Sequence, residues 1–229
     1  MACCFTTAIF LIVYYPLMPN LDAIRNEFTK NTLRRSEMHA SPFLQFTEWM
    51  EAAIKAEVPE PTAMTLSSCG SNGRPSSRIV LLKDASENGF TFFTNYQSRK
   101  GLELEATPYA SLVFFWPSLE RQIRIEGIVE KTDAAVSDSY FNSRPLGSRI
   151  AAIVSPQSKV VTSRDHYDTL YNMYVAKLSG DNVSRPANWG GYNVKPDCFE
   201  FWQGRANRLH DRIRYQLIDK QWVIERLGA

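Results

Sequence analysis

From Thr62 to Lys131 the chain repeats one device. Short runs rich in β-branched and aromatic residues are cut at Gly, Asn, Ser or Pro turns, the signature of antiparallel strands. AMTLSSC, the turn Ser71-Asn72-Gly73 and SSRIVLLKD read as a hairpin. Glu87-Asn88-Gly89 turns into FTFFTN, and YASLVFFW and RQIRIEGIVEK follow. The rhythm returns in GGYNVKP, CFEFWQG, NRLHDRIRYQL and QWVIERL. About seven or eight strands joined this way predict a closed or nearly closed barrel.

Helices fill the intervals. Ser41 caps a helix that opens with Pro42 and buries Phe43, Phe46, Met50 and Ala53. SRKGLELEA, DAAVSDSYFNSR, LGSRIAAIVS and RDHYDTLYNMYVAKL are further helices, and Ser179 to Asn188 is a polar loop. NLDAIRNEFTKNTLRRSEM also reads as polar and helical. The fold class is therefore α+β, mainly β: a barrel with flanking helices. No repeat or linker divides residues 21–229, which read as one domain.

Residues 1–20 stand apart. MACCFTTAIFLIVYYPLMPN is apolar, has no Lys or Arg in front, and is interrupted by Pro16. It falls short of the ~20 apolar residues that span a bilayer comfortably. It is a disordered or docked extension, a start called upstream of Met18, or a targeting or anchoring segment.

Net charge is +2, too small to give a broad basic face, so nucleic acid is not an expected partner. Neither is a membrane. Cys3, Cys4, Cys69 and Cys198 form no CxxC pair, which points to a reducing cytoplasmic setting without structural zinc. Cys69 and Cys198 fall in strands and read as core. Three histidines, His39, His166 and His210, are too few for a multi-histidine metal site, and His166 reads as a surface residue. Neither a GxGxxG turn nor a P-loop occurs, and no Ser-His-Asp or Cys-His arrangement is legible.

Four cationic clusters carry the remaining signal. In EFWQGRANRLHDRIRY, period two puts Arg208, His210, Arg212 and Arg214 on one strand face. That face is either solvated or an anion site, since like charges in a row need a neutralising partner. Arg78 and Lys83 flank IVLL, a strand that should be buried; they mark ends emerging into solvent or a second site. Thr94, Ser98, Arg99 and Lys100 stand at a strand-to-helix junction, which is either plain capping by Ser98 or a phosphate cradle. Tyr140, Arg144 and Ser148 recur four apart, on an exposed helix end or on one polar face broken by Pro145.

Taken together, RIVLLK (78–83), FFTNYQSRKG (92–101), ERQIRIEG (120–127), YFNSRPLGS (140–148), VSPQS (154–158), WGGY (189–192) and FWQGRANRLHDR (201–212) resemble the pyridoxine/pyridoxamine 5′-phosphate oxidase family in order and spacing. The resemblance runs from about Leu21 to Leu227. It implies an FMN-binding split β-barrel, a homodimer with FMN at the subunit interface, and oxidation of pyridoxine 5′-phosphate or pyridoxamine 5′-phosphate by oxygen. By motif, FMN contacts fall on Arg78, Ile79, Val80, Leu81, Leu82, Lys83, Phe93 and Thr94. Arg99 and Lys100 are implied at the FMN phosphate and Gln122 near its ring. Gln157, Ser158, Trp202 and Arg212 complete that site, partly from the other subunit. The substrate phosphate is implied at Lys83, Tyr140, Arg144 and Ser148. Arg208 and His210 are implied at the pyridine ring and as the catalytic pair, with Arg25 on a covering segment. Three departures stand out: Phe28 where Tyr is frequent, Asn142 where the family has His, and a terminal LGA.

Overall fold

The structure, a computed structural model, describes residues 20–23, 25–178 and 183–229. The apolar N-terminal stretch, apart from Asn20, lies outside the described residues, as does part of the polar loop after Leu178. Nine strands form one antiparallel sheet. They are β1 (Ala63–Cys69), β2 (Pro75–Leu81), β3 (Asp84–Ser86), β4 (Gly89–Asn95), β5 (Tyr109–Trp116), β6 (Arg121–Lys131), β7 (Trp189–Gln203), β8 (Asp211–Ile218) and β9 (Gln221–Leu227). The helices are α1 (Pro42–Lys55), α2 (Arg99–Ala106), α3 (Ala134–Ser143), α4 (Leu146–Val154) and α5 (Arg164–Lys177).

One segment curls the sheet into a barrel. The chain from Pro75 to Ser86 pairs first with β1 as β2, then with β4 as β3. The switch falls at Leu82 and Lys83, whose N–H groups donate to Thr62 O (2.9 Å) and Thr91 O (2.8 Å). The two ends of the path β1-β5-β6-β7-β4 are thus joined through a single stretch of chain. The barrel splits along β7. Its first half, Trp189 to Val194, lies beside β4, and its second, Cys198 to Gln203, beside β8. Between these halves sits Pro196, where β7 changes its outer neighbour and the register with β6 shifts. There a missing N–H interrupts no regular ladder, so the segments expected as two strands run as one.

Period-two alternation sorts the sheet faces. Leu66, Leu112, Phe114, Ile123, Ile125, Phe199, Phe201, Ile213 and Tyr215 are buried on the inner side. Helix α1 packs on them, with Phe46 edge-on to Phe90 and Phe114, and Trp49 edge-on to Phe201. Ser41 takes the N-cap position with Pro42 following, but its side chain makes no capping bond.

Several expectations fail for identifiable reasons. Among the described residues of 20–38 only two single turns form, Leu21–Ala23 and Arg35–Glu37, and residues 25–34 take neither helix nor strand. Distant groups satisfy this backbone: Lys30 N–H donates to Glu120 Oε2 (2.9 Å) and Leu33 N–H to Asp211 Oδ2 (3.0 Å). The IVLL strand is not buried; Ile79 is 64% and Leu81 39% exposed, because alternation on β2 turns them outward. Cys69 and Cys198 are reduced but only partly buried, Cys69 sharing the outward parity of β1. Tyr140, Arg144 and Ser148 do not share one helical face: Arg144 is the C-cap of α3, and Ser148 lies in α4. The last long hairpin begins at Asp211, after a single turn at Ala206–Arg208 in which Asn207 (φ 56°) and Arg208 (φ 60°) are left-handed. Arg208 and His210 therefore precede the strand that carries Arg212 and Arg214.

Candidate active site

The start of α2 forms a polar pocket. Ser98 caps the helix by accepting from Gly101 N–H (3.3 Å). Its neighbour Lys100 turns back into the fold, 8% exposed, and donates to Thr94 Oγ1 (3.1 Å) and Gln157 Oε1 (3.2 Å). Thr94 also donates to Gln157 (2.9 Å). Burial, then the charge of Arg78, lower the Lys100 pKa to about 8 against the opposing pull of Glu103.

Glu103, one helical turn after Arg99, organises the other side. Its carboxylate accepts from Arg99 Nε (2.8 Å), Arg78 Nη2 (3.0 Å), Ser68 Oγ (2.6 Å) and Ser76 Oγ (2.5 Å). Burial alone would raise the Glu103 carboxyl, but these hydrogen bonds outweigh it and hold the pKa at about 2. A cleft of 520 Å³ opens beside them, lined in part by Arg99, Glu103 and Ser158. Six residues expected to hold a cofactor, Arg78, Thr94, Arg99, Lys100, Gln157 and Ser158, thus gather around α2.

The elbow between α3 and α4 presents a second cation. Arg144 lies over Trp189, its guanidinium carbon 4.7 Å from the ring centroid. Phe93, Tyr140 and Trp189 stack nearly parallel, Phe93 and Tyr140 at 3.9 Å. Burial lowers the Arg144 pKa. Among the described residues its guanidinium has no ion pair, and Nη1 is a buried donor with no partner. Lys83 is exposed, and its side chain has no ion pair among the described residues.

A third constellation lines a cleft of 860 Å³ that includes Arg25, Phe28, Arg205, Arg208 and His210. Phe28 packs edge-on against Trp202 (5.7 Å) and His210 (5.8 Å). It lies so close to Gly204 that a Cβ there would come within 2.7 Å of Phe28 Cγ, which explains the glycine of FWQG. Arg205 N–H donates to His210 Nδ1 (3.2 Å), so the neutral ring carries its proton on Nε2. Gln122, Trp202 and Arg212 form a cross-strand row over β6, β7 and β8. Among the described residues, no hydrogen bond, ion pair or aromatic contact joins the Arg208–His210 cleft to the Arg144 elbow.

Buried carboxylates were the part that sequence reasoning missed. Glu200, 7% exposed, accepts from Arg212 Nε (2.9 Å) and Nη2 (3.0 Å) and from Arg124 (3.3 Å). Arg214 pairs with Glu225, and Asp211, on the opposite face as alternation required, with Arg205 and Arg226. The strand half of the cationic stripe, Arg212 and Arg214, is thus neutralised within the protein. Only Glu103 left a local signal, its i,i+4 spacing from Arg99.

Residues 50–168 match the family model described as pyridoxamine 5′-phosphate oxidase. Residues 189–228 match the pyridoxine 5′-phosphate oxidase C-terminal dimerisation region. The chain belongs to the pyridoxine/pyridoxamine 5′-phosphate oxidase family. It is 53% identical over 206 residues to the oxidase of that name from Bordetella pertussis, covering 90% of this chain and 97% of the relative. The Cupriavidus pinatubonensis protein of the same name is 50% identical over 212 residues, covering 92% of this chain and 100% of the relative. Among solved structures, PhzG from Burkholderia lata, bound to tetrahydrophenazine-1-carboxylic acid, superposes with TM-score 0.82 and 28% identity, covering 87% of this chain and 98% of that one. A pyridoxamine 5′-phosphate oxidase-related, FMN binding protein from Nostoc punctiforme shares the fold, with TM-score 0.66 at 17% identity over 82% of this chain and 98% of that one. The architecture is that of the split-barrel proteins of this oxidase family.

FMN is the cofactor of the family, and the residues present fit it. Its phosphate monoester needs cationic and hydroxyl donors at a concave site, which the α2 pocket supplies in Arg78, Arg99, Lys100, Ser98 and Thr94. Among the described residues no helix is long and apolar enough to cross a membrane, and no group of His, Cys, Asp and Glu could hold a metal ion.

Proposed function

We propose that the protein oxidises pyridoxine 5′-phosphate or pyridoxamine 5′-phosphate to pyridoxal 5′-phosphate, with oxygen as acceptor and hydrogen peroxide as product, and, from the amine, with water consumed and ammonia released. The observation that carries this reading is the pair of separate anion sites on one barrel. One is the Arg78–Arg99–Lys100 pocket at α2, and the other is Arg144, a half-buried cation with no anionic partner among the described residues. The reaction brings together two phosphate monoesters, cofactor and substrate, and therefore needs two such sites.

Bound FMN would supply the redox chemistry, as the acceptor for the two electrons of the oxidation. The chain supplies position and electrostatics. Arg99, Lys100, Thr94, Gln157, Ser158 and Arg78 hold the cofactor phosphate end, while Gln122, Trp202 and Arg212, with the strand run Ile79, Val80, Leu81, Leu82 and Phe93, line the rest. Lys83, Tyr140, Arg144 and Ser148 hold the substrate phosphate, which lowers the entropic barrier by fixing the ring. Arg208 covers the reacting carbon, and His210 orients the ring through its Nε2–H; Arg25 and Phe28 close the cleft over them.

The site is completed across a homodimer. Among the described residues no hydrogen bond, ion pair or aromatic contact joins the Arg208–His210 cleft to the Arg144 elbow, and in this reading the second copy brings them to one substrate. Exposed Ile79, Leu81 and Phe115 offer the apolar surface for it, and the dimerisation-region match supports the same arrangement. The same reading places the protein in the cytoplasm, where unpaired Cys69 and Cys198 would stay reduced.

The test is the visible spectrum of the FMN-loaded protein before and after anaerobic addition of pyridoxine 5′-phosphate. Bleaching of the flavin band is expected. A flavin that binds but stays oxidised refutes the oxidase reading, leaving a cofactor carrier or an oxidoreductase with another donor.

A further inference from the structure

Trp189 belongs to none of the groups assigned above, yet it lies under Arg144, a cation with a buried, unpartnered donor. It is the first residue of β7, 6% exposed. Its carbonyl accepts from Arg185 Nη1 (2.6 Å), and its N–H donates to Pro186 O (3.0 Å). Its ring lies within 5° of the Tyr140 plane and 13° of the Phe93 plane, with Phe141 packed edge-on at 5.3 Å. The indole is therefore clamped by the barrel on one side and by α3 on the other.

The two anion sites are held by opposite means. At α2, Arg78 and Arg99 are fixed by the Glu103 carboxylate, which also cancels part of their charge. At the elbow, Arg144 has an aromatic face beneath it instead. A ring positions a guanidinium through its quadrupole without donating a negative charge. It also leaves the in-plane N–H fork free, and Nη1 is unpartnered. An arginine held this way keeps its full charge and its bidentate geometry for an incoming phosphate.

We propose that Trp189 is the positioning residue for substrate phosphate, acting through Arg144 as an uncharged platform. The inference rests on the reading of Arg144 as a substrate-phosphate ligand. It predicts that Trp189 affects affinity for phosphorylated substrates more than the binding of FMN, whose proposed contact Phe93 stacks on the same ring.

The experiment is a double-mutant cycle on FMN-loaded enzyme with Trp189→Leu and Arg144→Ala. Pyridoxine 5′-phosphate is the substrate, and inorganic phosphate serves as a competitive probe. Trp189→Leu should raise KM and the inhibition constant of phosphate together, by roughly tenfold, with kcat and FMN affinity within about twofold. In the Arg144→Ala background the same change should add less than about twofold. Should Trp189→Leu fail to fold, Trp189→Phe, which keeps a smaller ring, enters the same cycle with an expected rise of about threefold. An unchanged KM, an equal rise with and without Arg144, or a parallel loss of FMN affinity overturns the proposal. Wild-type enzyme that shows no turnover of pyridoxine 5′-phosphate overturns the proposed function instead.

Discussion

Lys100 is a cation held where a cation is costly, and replacing it should separate stability from function. The residue is 8% exposed, and its pKa falls from an ordinary 10.5 to about 8 through burial and the nearby Arg78. At about 1.36 kcal/mol per pH unit, that gap amounts to about 3 kcal/mol against the charged form in the folded protein. Below pH 8 the FMN-free protein carries this cost in full. Between about 8 and 10.5 the unfolded chain binds the extra proton, so the stability of the FMN-free protein should rise with pH across that window. Lys100→Met keeps the stem and removes the charge. Its former acceptors Thr94 and Gln157 are already bonded to each other at 2.9 Å, so few groups are orphaned. The FMN-free variant should gain about 1–3 kcal/mol, a melting temperature higher by roughly 3–8 °C at pH 7, and should lose the rise above pH 8. Its FMN affinity should fall about 10–100-fold, the worth of a charge-assisted hydrogen bond to phosphate. Calorimetry of the FMN-free protein and quenching of flavin fluorescence measure the two halves. An FMN-free variant less stable than wild type would refute the reasoning, because Lys100 would then be a structural donor and not a strained cation kept for a ligand.

Arg144→Ala should raise KM for pyridoxine 5′-phosphate by about 10–100-fold with little change in kcat, since the contact exists in ground and transition states alike; steady-state kinetics with an unchanged KM would remove Arg144 from the phosphate site. Arg208→Ala should lower kcat by at least about tenfold, and full turnover would end its catalytic role. Glu103 has a folded pKa of about 2 against an ordinary 4.5, so its share of stability, about 3 kcal/mol, is present above pH 4.5 and lost as pH falls toward 2. Acid denaturation of Glu103→Gln should therefore be shallower than wild type over that interval, and superimposable curves would contradict it.

The strands were legible because alternation is a local property. Every β-rich run from Thr62 to Lys131 became a strand, and the Gly73 and Gly89 turns fall where the sequence put them, both with positive φ. The Ser98–Lys100 cluster was legible for the same reason, since a hydroxyl, two cations and a helix start lie within a few residues. Residues 20–38 were misread because their composition permits a helix, while their hydrogen-bond partners, Glu120 in the turn before β6 and Asp211 at the start of β8, lie about 90 and 180 residues away. Local propensity is too weak to resist such partners.

The cationic stripe marks the boundary most clearly. Sequence alone determined that Arg208, His210, Arg212 and Arg214 are clustered and that Asp211 faces away from Arg212. Only the tertiary structure decided that a left-handed turn at Asn207 and Arg208 separates the first pair from the second. Only it brought Glu200, from the neighbouring strand, to neutralise Arg212 while leaving Arg144 on an aromatic face with no anion among the described residues. The reason is physical. Alternation and capping are set by a residue's immediate neighbours, whereas whether a buried charge is cancelled or left for a ligand depends on which strands the fold sets side by side.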